Sequence, residues 1–217
     1  MLNPGLCGII LAAGESSRMG RDKALLPWPP IPSGVLAVSA IKPSTILSSA
    51  IDALTPYCDS VIVVAGKNAT ALQSIVYARA GFLVVNPAPE RGQFSSLQTG
   101  LQAVLDQGRD SAIITLVDRP PARPATLAKL VHAFTDRAHK IWAVVPEYED
   151  KHGHPIIIGR EMLEKFLKAP ANSNAREIEH AHQHHIEYVR TDDPAVTRNV
   201  DTPDDYASLE LSQRVDG

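Results

Sequence analysis

The sequence has few cysteines, little net charge and no long hydrophobic run, and each of these absences excludes a class of protein. Cys7 and Cys58 are the only cysteines among 217 residues and form no CxxC pair, so we expect buried free thiols in a reducing compartment. A formal net charge of −3 does not suit a surface that binds nucleic acid. No apolar run is as long as a membrane span, and residues 1–16 lack the positive charge of a secretion signal. We therefore expect a cytoplasmic protein with neither nucleic-acid nor membrane partners.

The rest of the composition is that of an ordinary globular protein, with 44% hydrophobic and 21% charged residues. The length allows one domain with a sizeable core, and the sequence contains neither an internal repeat nor a linker that would divide it. We expect residues 1–217 to form a single domain. If the ligand is anionic, the positive charges that bind it must then be clustered at one site.

Short apolar runs rich in β-branched residues recur along the chain and predict strands. Because the runs are apolar throughout rather than alternating, they are typical of strands covered by helices on both faces. They are residues 6–11, 60–66, 82–86, 111–118, 141–146, 154–159 and 186–190, and segments with helical periodicity lie between them at 44–54, 93–105 and 124–134. This alternation predicts an α/β fold with a doubly wound, mostly parallel sheet.

The residues that follow the first predicted strand combine small side chains with cations. In an open α/β sheet, ligands bind outside the carboxyl ends of the strands. Ala12, Ala13 and Gly14 would let a phosphate reach the backbone N–H groups, and Arg18 and Lys23 would neutralise it. This composition indicates a phosphate-binding loop, although G-x-x-x-x-G-K-[ST] and G-x-G-x-x-G are both absent. A strand-to-helix turn with a solvated basic face explains it equally well.

Two aspartates also follow apolar runs and are expected at the same edge of the sheet. Asp118 ends the run "AIITLVD", and Asp201 follows the short run "RNV". Two carboxylates together with substrate phosphates would suit a hard divalent cation. For Asp118 alone, a helix N-cap or a turn aspartate before "RPPARP" is the alternative.

The stretch "LAAGESSRMGRDK" (11–23) closely resembles the signature L-A-A-G-x-S-x-R-M-G-x-x-K of the MobA/MocA-like nucleotidyltransferases. Three further stretches resemble motifs of this family in order and spacing: "GQFSSLQTGL" (92–101), "GHPIII" (153–158) and "NVDTPDDY" (199–206). The resemblance spans nearly the whole chain. It implies a Rossmann-like fold of the nucleotide-diphospho-sugar transferase type, and transfer of a nucleoside monophosphate from CTP or GTP to the phosphate of molybdopterin.

The resemblance also implies roles for individual residues. It implies nucleotide binding by Leu11, Ala12, Ala13, Gly14, Lys23, Asn86, Ser96 and Asp118, and catalysis by Arg18, Lys23 and Asp118. It implies Mg²⁺ or Mn²⁺ on Asp118, with Asn199 or Asp201 as the second ligand. Ala13 is the residue typical of the cytidine-using branch, which favours CTP. His154 in "GHP" would contact the acceptor, and a purely structural role for this histidine is an alternative of equal weight.

Some features depart from the family pattern or compete with it. Arg119 follows the metal-binding aspartate where the family has an uncharged or small residue, and the proline-rich stretch 27–44 is longer than the usual turn. The alternatives are a cytidylyltransferase for a sugar or polyol phosphate such as methylerythritol phosphate, and a nucleotide-binding chaperone that does not turn over. A molybdoenzyme that receives the product is an expected partner. The histidine-rich stretch 179–185 is expected to be a solvated helix face rather than a zinc site.

Overall fold

The computed structural model describes residues 5–14, 16, 19–30, 44–170 and 173–212 of the chain. Among the residues expected to form the site, Arg18 lies outside the described residues. Most of the proline-rich stretch, residues 31–43, also lies outside them. The two flanks of this stretch meet, because Pro27 and Thr45 form an isolated antiparallel bridge.

The described residues form an eight-stranded sheet in the order β3-β2-β1-β4-β7-β5-β6, with β8 paired to β5. The strands are β1 (Cys7–Ala12), β2 (Ser60–Ala65), β3 (Phe82–Val85), β4 (Ala112–Leu116), β5 (Ala143–Tyr148), β6 (Lys151–His152), β7 (Ile156–Ile158) and β8 (Ile186–Arg190). Parallel pairs join β1 to β2 and β4, β2 to β3, and β5 to β8. The predicted doubly wound, mostly parallel sheet is confirmed.

Two strands run against the others. β6 is antiparallel to β5, and β7 is antiparallel to both of its neighbours, β4 and β5. The cause is a tight hairpin between β5 and β6, in which Glu149 and Asp150 have φ values of 49° and 58°. Positive φ at both central residues matches the twist of the flanking strands and reverses the chain without a crossover helix. The first residues after this hairpin therefore return to the edge of the sheet where the parallel strands end.

Seven α-helices are found in the described part of the chain: α1 (Ile46–Leu54), α2 (Ala69–Tyr77), α3 (Gln93–Asp106), α4 (Pro124–Asp136), α5 (Arg160–Lys168), α6 (Ala175–Ala181) and α7 (Pro203–Ser212). The three predicted helices correspond to α1, α3 and α4. A capping box between Thr45 and Ser48 begins α1. Pro124 occupies the first turn of α4, where its missing N–H costs nothing.

Two separate hydrophobic clusters cover the two faces of the sheet, as the unbroken apolar runs predict. In β1, Ile10 belongs to the cluster that contains α1 and α4, whereas Ile9 and Leu11 belong to the cluster that contains α3 and α5. Gly100 lets α3 lie close to the sheet, because a Cβ there would be 2.9 Å from Val64 Cγ2. This close packing fixes the N-terminus of α3 at the carboxyl ends of β1 and β4.

Cys7 and Cys58 are buried and unpaired, as predicted. Burial raises the pKa of both thiols, which suits a packing role. In the described ranges, none of the helices has the length and apolar character needed to span a membrane.

Candidate active site

The loop after β1 is held in place by its neighbours from β2. Gly66 follows β2 and approaches the loop so closely that a Cβ there would be 2.9 Å from the Ala13 carbonyl oxygen. The Asn68 amide nitrogen donates hydrogen bonds to the Ala12 carbonyl, at 2.9 Å, and to Asp22 Oδ2, at 2.7 Å. Asn68 Oδ1 in turn accepts from the Gly66 N–H at 3.0 Å. Contacts with Gly66 and Asn68 thus fix the backbone conformation of the loop without any ligand.

A cavity of about 570 Å³ opens beside this loop at the carboxyl ends of β1 and β4. This volume lies within the range of about 300–1,000 Å³ that is usual for small-ligand and cofactor sites. Its lining includes six of the residues expected to bind nucleotide: Leu11, Ala13, Gly14, Lys23, Ser96 and Asp118. Ala12 does not line the cavity, since it is 1% exposed, and its carbonyl oxygen accepts from Asn68.

Asn86 lies behind the cavity rather than in its lining, since its side chain is only 3% exposed. Its amide nitrogen donates to Ser95 Oγ at 2.8 Å and to Ser96 Oγ at 3.0 Å, and its Oδ1 accepts from the Ala88 N–H at 2.9 Å. Asn86 therefore ties the turn at 88–92 to the first residues of α3. In this arrangement it positions the cavity wall.

The N-terminus of α3 faces the same cavity. Gly92 precedes the helix and supplies no side-chain cap, and both Gly92 and Gln93 line the cavity. The first N–H groups of a helix lack intrahelical partners and carry partial positive charge, so this end of α3 favours an anion. Ser96 accepts from Asn86, which leaves its hydroxyl hydrogen available to a ligand.

Lys23 and Asp201 form an ion pair beside the cavity, with 2.7 Å between Nζ and Oδ1. Lys23 is 8% exposed. The Val200 N–H donates to the Asp118 carbonyl at 2.7 Å, which fixes the chain before Asp201 against the end of β4. The structure thus brings Lys23, Asp118 and Asp201 together.

The Asp118 carboxylate is in an unusual environment. Its Oδ1 is buried and has no hydrogen-bond partner among the described residues. Burial raises its pKa, while the charges of Lys23 and Arg119 act in the opposite direction. A buried carboxylate oxygen without a donor is costly unless something binds it.

These residues fit a divalent cation. Asp118 and Asp201 could supply two oxygen ligands, and a magnesium-type ion commonly takes one or two carboxylates and completes its shell with substrate phosphates. Asp205 is engaged elsewhere, because its Oδ2 accepts from the N–H groups of Asp201 and Thr202. Asn199 is exposed. No group of three or more histidine, cysteine, aspartate or glutamate side chains suited to a metal occurs within the described ranges.

Arg119 does not line the cavity, and it supports the segment that leads to Asp201. It donates from Nη1 to the Val196 carbonyl at 2.9 Å, and the same oxygen accepts from the His154 N–H at 2.8 Å. Burial lowers the pKa of the Arg119 guanidinium. Gly153 allows this close packing, because a Cβ there would lie 2.1 Å from the Val196 oxygen.

A second pocket, of about 290 Å³, adjoins the cavity of about 570 Å³, and His154 is among its lining residues. We call the first the larger cavity and the second the smaller pocket. It shares four lining residues with the larger cavity: Leu11, Gly92, Gln93 and Leu116. Burial lowers the pKa of His154 to about 4, so its imidazole is neutral near pH 7, and Nδ1 lies 3.3 Å from the Ile114 carbonyl.

Sequence reasoning missed three residues near these cavities. Asn68 supports the loop, and Lys67 lines a recess on the loop's other side together with Ala13 and Gly14. Glu179 of α6 lines the smaller pocket, and burial raises its pKa to about 7. Lys67 and Asn68 could have been noticed because they directly follow β2, whereas no local signal marks Glu179.

The expectation of one exposed helix over the histidine-rich stretch is wrong for its second half. α6 ends at Ala181, and His184 lies in the following 3₁₀ turn, Gln183–His185. His180 and His184 are therefore not on one helix face. The His185 ring stacks on Trp142 with 3.5 Å between centroids, which explains why the chain turns here.

A loop of small residues at the ends of parallel strands, beside a buried lysine and acidic side chains, is typical of nucleotide-handling enzymes such as nucleotidyltransferases. The sequence comparison gives the family. Residues 8–186 match the family described as the MobA-like NTP transferase domain, so the chain belongs to that family.

Relatives and solved structures agree with this assignment. The chain is 27% identical to the molybdenum cofactor cytidylyltransferase of Escherichia coli (strain K12), over 91% of this chain and 92% of that protein. It is 28% identical to a probable molybdenum cofactor guanylyltransferase of Rhodopirellula baltica, over 93% and 90%. The structure of Rv0371c from Mycobacterium tuberculosis has a TM-score of 0.75, 26% identity, and coverage of 96% and 98%. Rv0371c complexed with manganese has a TM-score of 0.72, 24% identity, and coverage of 95% and 98%.

Proposed function

We propose that the protein transfers CMP from CTP to the phosphate of molybdopterin and releases pyrophosphate. The observation that carries this proposal is the position of Lys23 and Asp118 in the wall of one cavity, opposite the small-residue loop at Ala13 and Gly14. The name of the Escherichia coli relative supports the choice of nucleotide and acceptor. The product would then pass to a molybdoenzyme.

The triphosphate would lie along the loop, where the backbone at Ala13 and Gly14 is accessible. The uncapped N-terminus of α3 and the Lys23 ammonium group would share its negative charge. The Lys23 ammonium group has three N–H donors and gives one of them to Asp201, so another could bind a phosphate oxygen.

Asp118 and Asp201 would hold the divalent cation, Mg²⁺ or Mn²⁺. When bound, such an ion neutralises charge on phosphate oxygens and orients the reacting groups. The unpartnered Asp118 Oδ1 supports this role. Arg119 and the N–H of Val200 would keep the two carboxylates at a fixed separation.

The transfer needs no dedicated general base. An oxygen of the acceptor's phosphomonoester forms the new bond to the α-phosphorus of CTP, and the bond from this phosphorus to the bridging oxygen breaks. The second pKa of a phosphomonoester is about 6, so the nucleophile is mostly ionised at neutral pH. The residues contribute positioning and charge stabilisation, as in phosphoryl transfer generally.

The preference for cytidine is supported by Ala13. Its methyl group lies in the cavity lining, where the guanosine-using branch usually has glycine. Ser96 is placed to offer a hydroxyl hydrogen to a base or ribose. Because one relative is named a guanylyltransferase, GTP is the necessary competitor in any test.

The experiment is pyrophosphate release by the purified full chain with CTP, GTP and ATP in turn. Each nucleotide is supplied with Mg²⁺ or Mn²⁺, with and without molybdopterin. We expect release with CTP only when molybdopterin is present. Release with GTP in preference to CTP would overturn the choice of base. CTP binding without release under every condition would favour a nucleotide-binding chaperone or another acceptor, such as a sugar or polyol phosphate.

A further inference from the structure

The smaller pocket adjoins the larger cavity directly. The two share Leu11, Gly92, Gln93 and Leu116 along their border. A molecule with a ring in the smaller pocket could therefore extend a phosphate into the larger cavity. At about 290 Å³, the smaller pocket suits a ring system rather than a whole nucleoside triphosphate.

Apolar side chains from different elements form one part of the wall of the smaller pocket, and Arg91, Gln93, Ser173 and Asn174 are among its other lining residues. Phe94 and Leu97 come from α3, Ile114 from β4 and Ile156 from β7. Walls of this kind favour a flat, uncharged ring over a sugar, whose hydroxyl groups would lose hydrogen bonds to water.

Glu179 has the one carboxyl group among the described residues that line the smaller pocket. Within the described part of the chain, no side chain forms a hydrogen bond or an ion pair with it, and burial and the charge of Arg176 are the influences on its pKa. Arg176 is exposed three residues earlier in α6. A partly buried carboxyl group without a donor invites a ligand that carries N–H groups.

His154 adds an acceptor to the same pocket. Its Nδ1 lies 3.3 Å from the Ile114 carbonyl, so the neutral ring carries its proton on Nδ1. Nε2 is then an acceptor for a further N–H of the ligand. Glu179 and His154 thus both offer acceptors to a ligand in the smaller pocket, which favours a heterocycle with several donors.

We propose that the smaller pocket holds the ring of the acceptor, and that Glu179 binds a ring N–H together with a neighbouring exocyclic amino group. A carboxylate accepts such a pair of parallel N–H donors in a bidentate way. The 2-amino-4-oxopyrimidine edge of a pterin has this pattern. Cytosine does not, because its amino group adjoins a ring nitrogen that accepts. The assignment of the ring to the acceptor rests on the proposed function.

A guanine base has the same donor edge, so the experiment must separate the two sources. The probes are free pterin, its 2-oxo analogue lumazine, CTP and GTP, each titrated by calorimetry into the full chain. Lumazine lacks the exocyclic amino group and otherwise keeps the pterin ring. The variants are Glu179→Gln and the control Glu177→Gln, which changes an exposed glutamate two residues earlier in α6.

We expect the wild type to bind pterin about 10- to 100-fold more tightly than lumazine, as for loss of a charge-assisted hydrogen bond. Glu179→Gln removes this discrimination, whereas Glu177→Gln keeps it and neither change affects CTP. The pterin–lumazine comparison needs only the wild type, so it can still overturn the proposal if Glu179→Gln does not fold.

Equal binding of pterin and lumazine, or no pterin binding with and without CTP, would overturn the proposal. A loss of GTP affinity with unchanged pterin affinity in Glu179→Gln would also overturn it, since the pocket would then hold the base. Pterin binding without pyrophosphate release would retain the proposed pocket and contradict the proposed reaction, so the two can fail separately.

Discussion

The two adjoining cavities are built in different ways. The larger one takes its lining from a loop next to β1, a helix N-terminus and charged side chains such as Lys23 and Asp118. The smaller pocket takes its lining from side chains of α3, β4, β7 and α6, with Glu179 and His154 among apolar neighbours. The larger cavity thus offers backbone and charge to a polyphosphate, and the smaller pocket offers shape and acceptors to a ring. On our proposal, the larger cavity serves the transfer reaction and the smaller pocket selects the acceptor.

The largest effect is expected from removing the charges of the larger cavity. Lys23→Met and Asp118→Asn should each lower pyrophosphate release by about 10²- to 10³-fold, the usual cost of losing one group that stabilises developing charge. Pterin binding in the smaller pocket should stay unchanged, which calorimetry checks. Lys168→Met, at a lysine 74% exposed in its side chain, is the control and should keep full activity. Near-normal turnover in either cavity variant would remove the basis of the comparison.

A smaller effect is expected from changing the shape of the loop without touching a charge. Gly66→Ala places a methyl group 2.9 Å from the Ala13 carbonyl, so the loop must move. We expect a loss of about 1–3 kcal/mol in the free energy of unfolding, as for overpacking, and a nucleotide affinity lowered about 10-fold. Gly14→Ala has open space around its Cβ and should keep the wild-type stability. Urea denaturation distinguishes the two, and equal stability of both variants would contradict the role of Gly66.

Arg119 is predicted to matter for structure more than for charge in the cavity. Arg119→Met removes the hydrogen bond to the buried Val196 carbonyl and should cost about 1–2 kcal/mol in the free energy of unfolding. Pyrophosphate release should fall less than in Lys23→Met, because Arg119 does not line the cavity. Arg119→Lys keeps a donor and is expected to regain part of the stability. A loss of activity as large as that of Lys23→Met, with unchanged stability, would place Arg119 at the substrate instead.

The smallest effect is a pH dependence of stability that originates in the smaller pocket. Burial raises the pKa of Glu179 from 4.5 to about 7, so its contribution to the free energy of unfolding is complete below pH 4.5 and is lost as the pH rises through 7. Burial lowers the pKa of His154 from 6.5 to about 4, so its contribution is complete above pH 6.5 and is lost as the pH falls through 4. The two slopes oppose each other between pH 4.5 and 6.5.

Glu179→Gln removes one of these slopes. Relative to the wild type, the variant should gain on the order of 1 kcal/mol of stability between pH 5 and 7.5, after allowance for the partial exposure of the carboxyl group. Urea denaturation at the two pH values measures this difference. Glu177→Gln should follow the wild type, and parallel pH profiles for all three proteins would show that Glu179 has an ordinary pKa.

Much of the fold was predictable because the strands are buried on both faces and read as apolar runs. The direction of β7 was not, because "HPIIIG" has the same composition as a parallel strand and its reversal depends on Glu149 and Asp150. α5 was missed although Met162, Leu163 and Phe166 mark a buried face at helical spacing. α6 has no fully buried residue, so its sequence carries little pattern.

The site residues likewise differ in how far the sequence predicts them. Asp118 could be predicted because it closely follows β4, so topology brings it to the edge where ligands bind. Lys23, in contrast, lies well beyond the end of β1 and was predicted from the cation-rich stretch and the family motif that contain it. The positions of Arg119 and Glu179 could not, since they depend on the packing of the 194–197 turn and of α6 against distant strands. Asn86 was expected at the nucleotide, and the structure places it one layer behind, where it holds two serines of α3.

The Lys23–Asp201 pair joins residues that are 178 positions apart in the chain. A contact of such long range forms late, because the intervening chain must first be ordered. During synthesis, the loop after β1 leaves the ribosome long before its acidic partner does. The emerging chain therefore contains the loop that we propose to bind phosphate well before it contains Asp201, so a partly made chain can begin to form its core before the proposed site is complete.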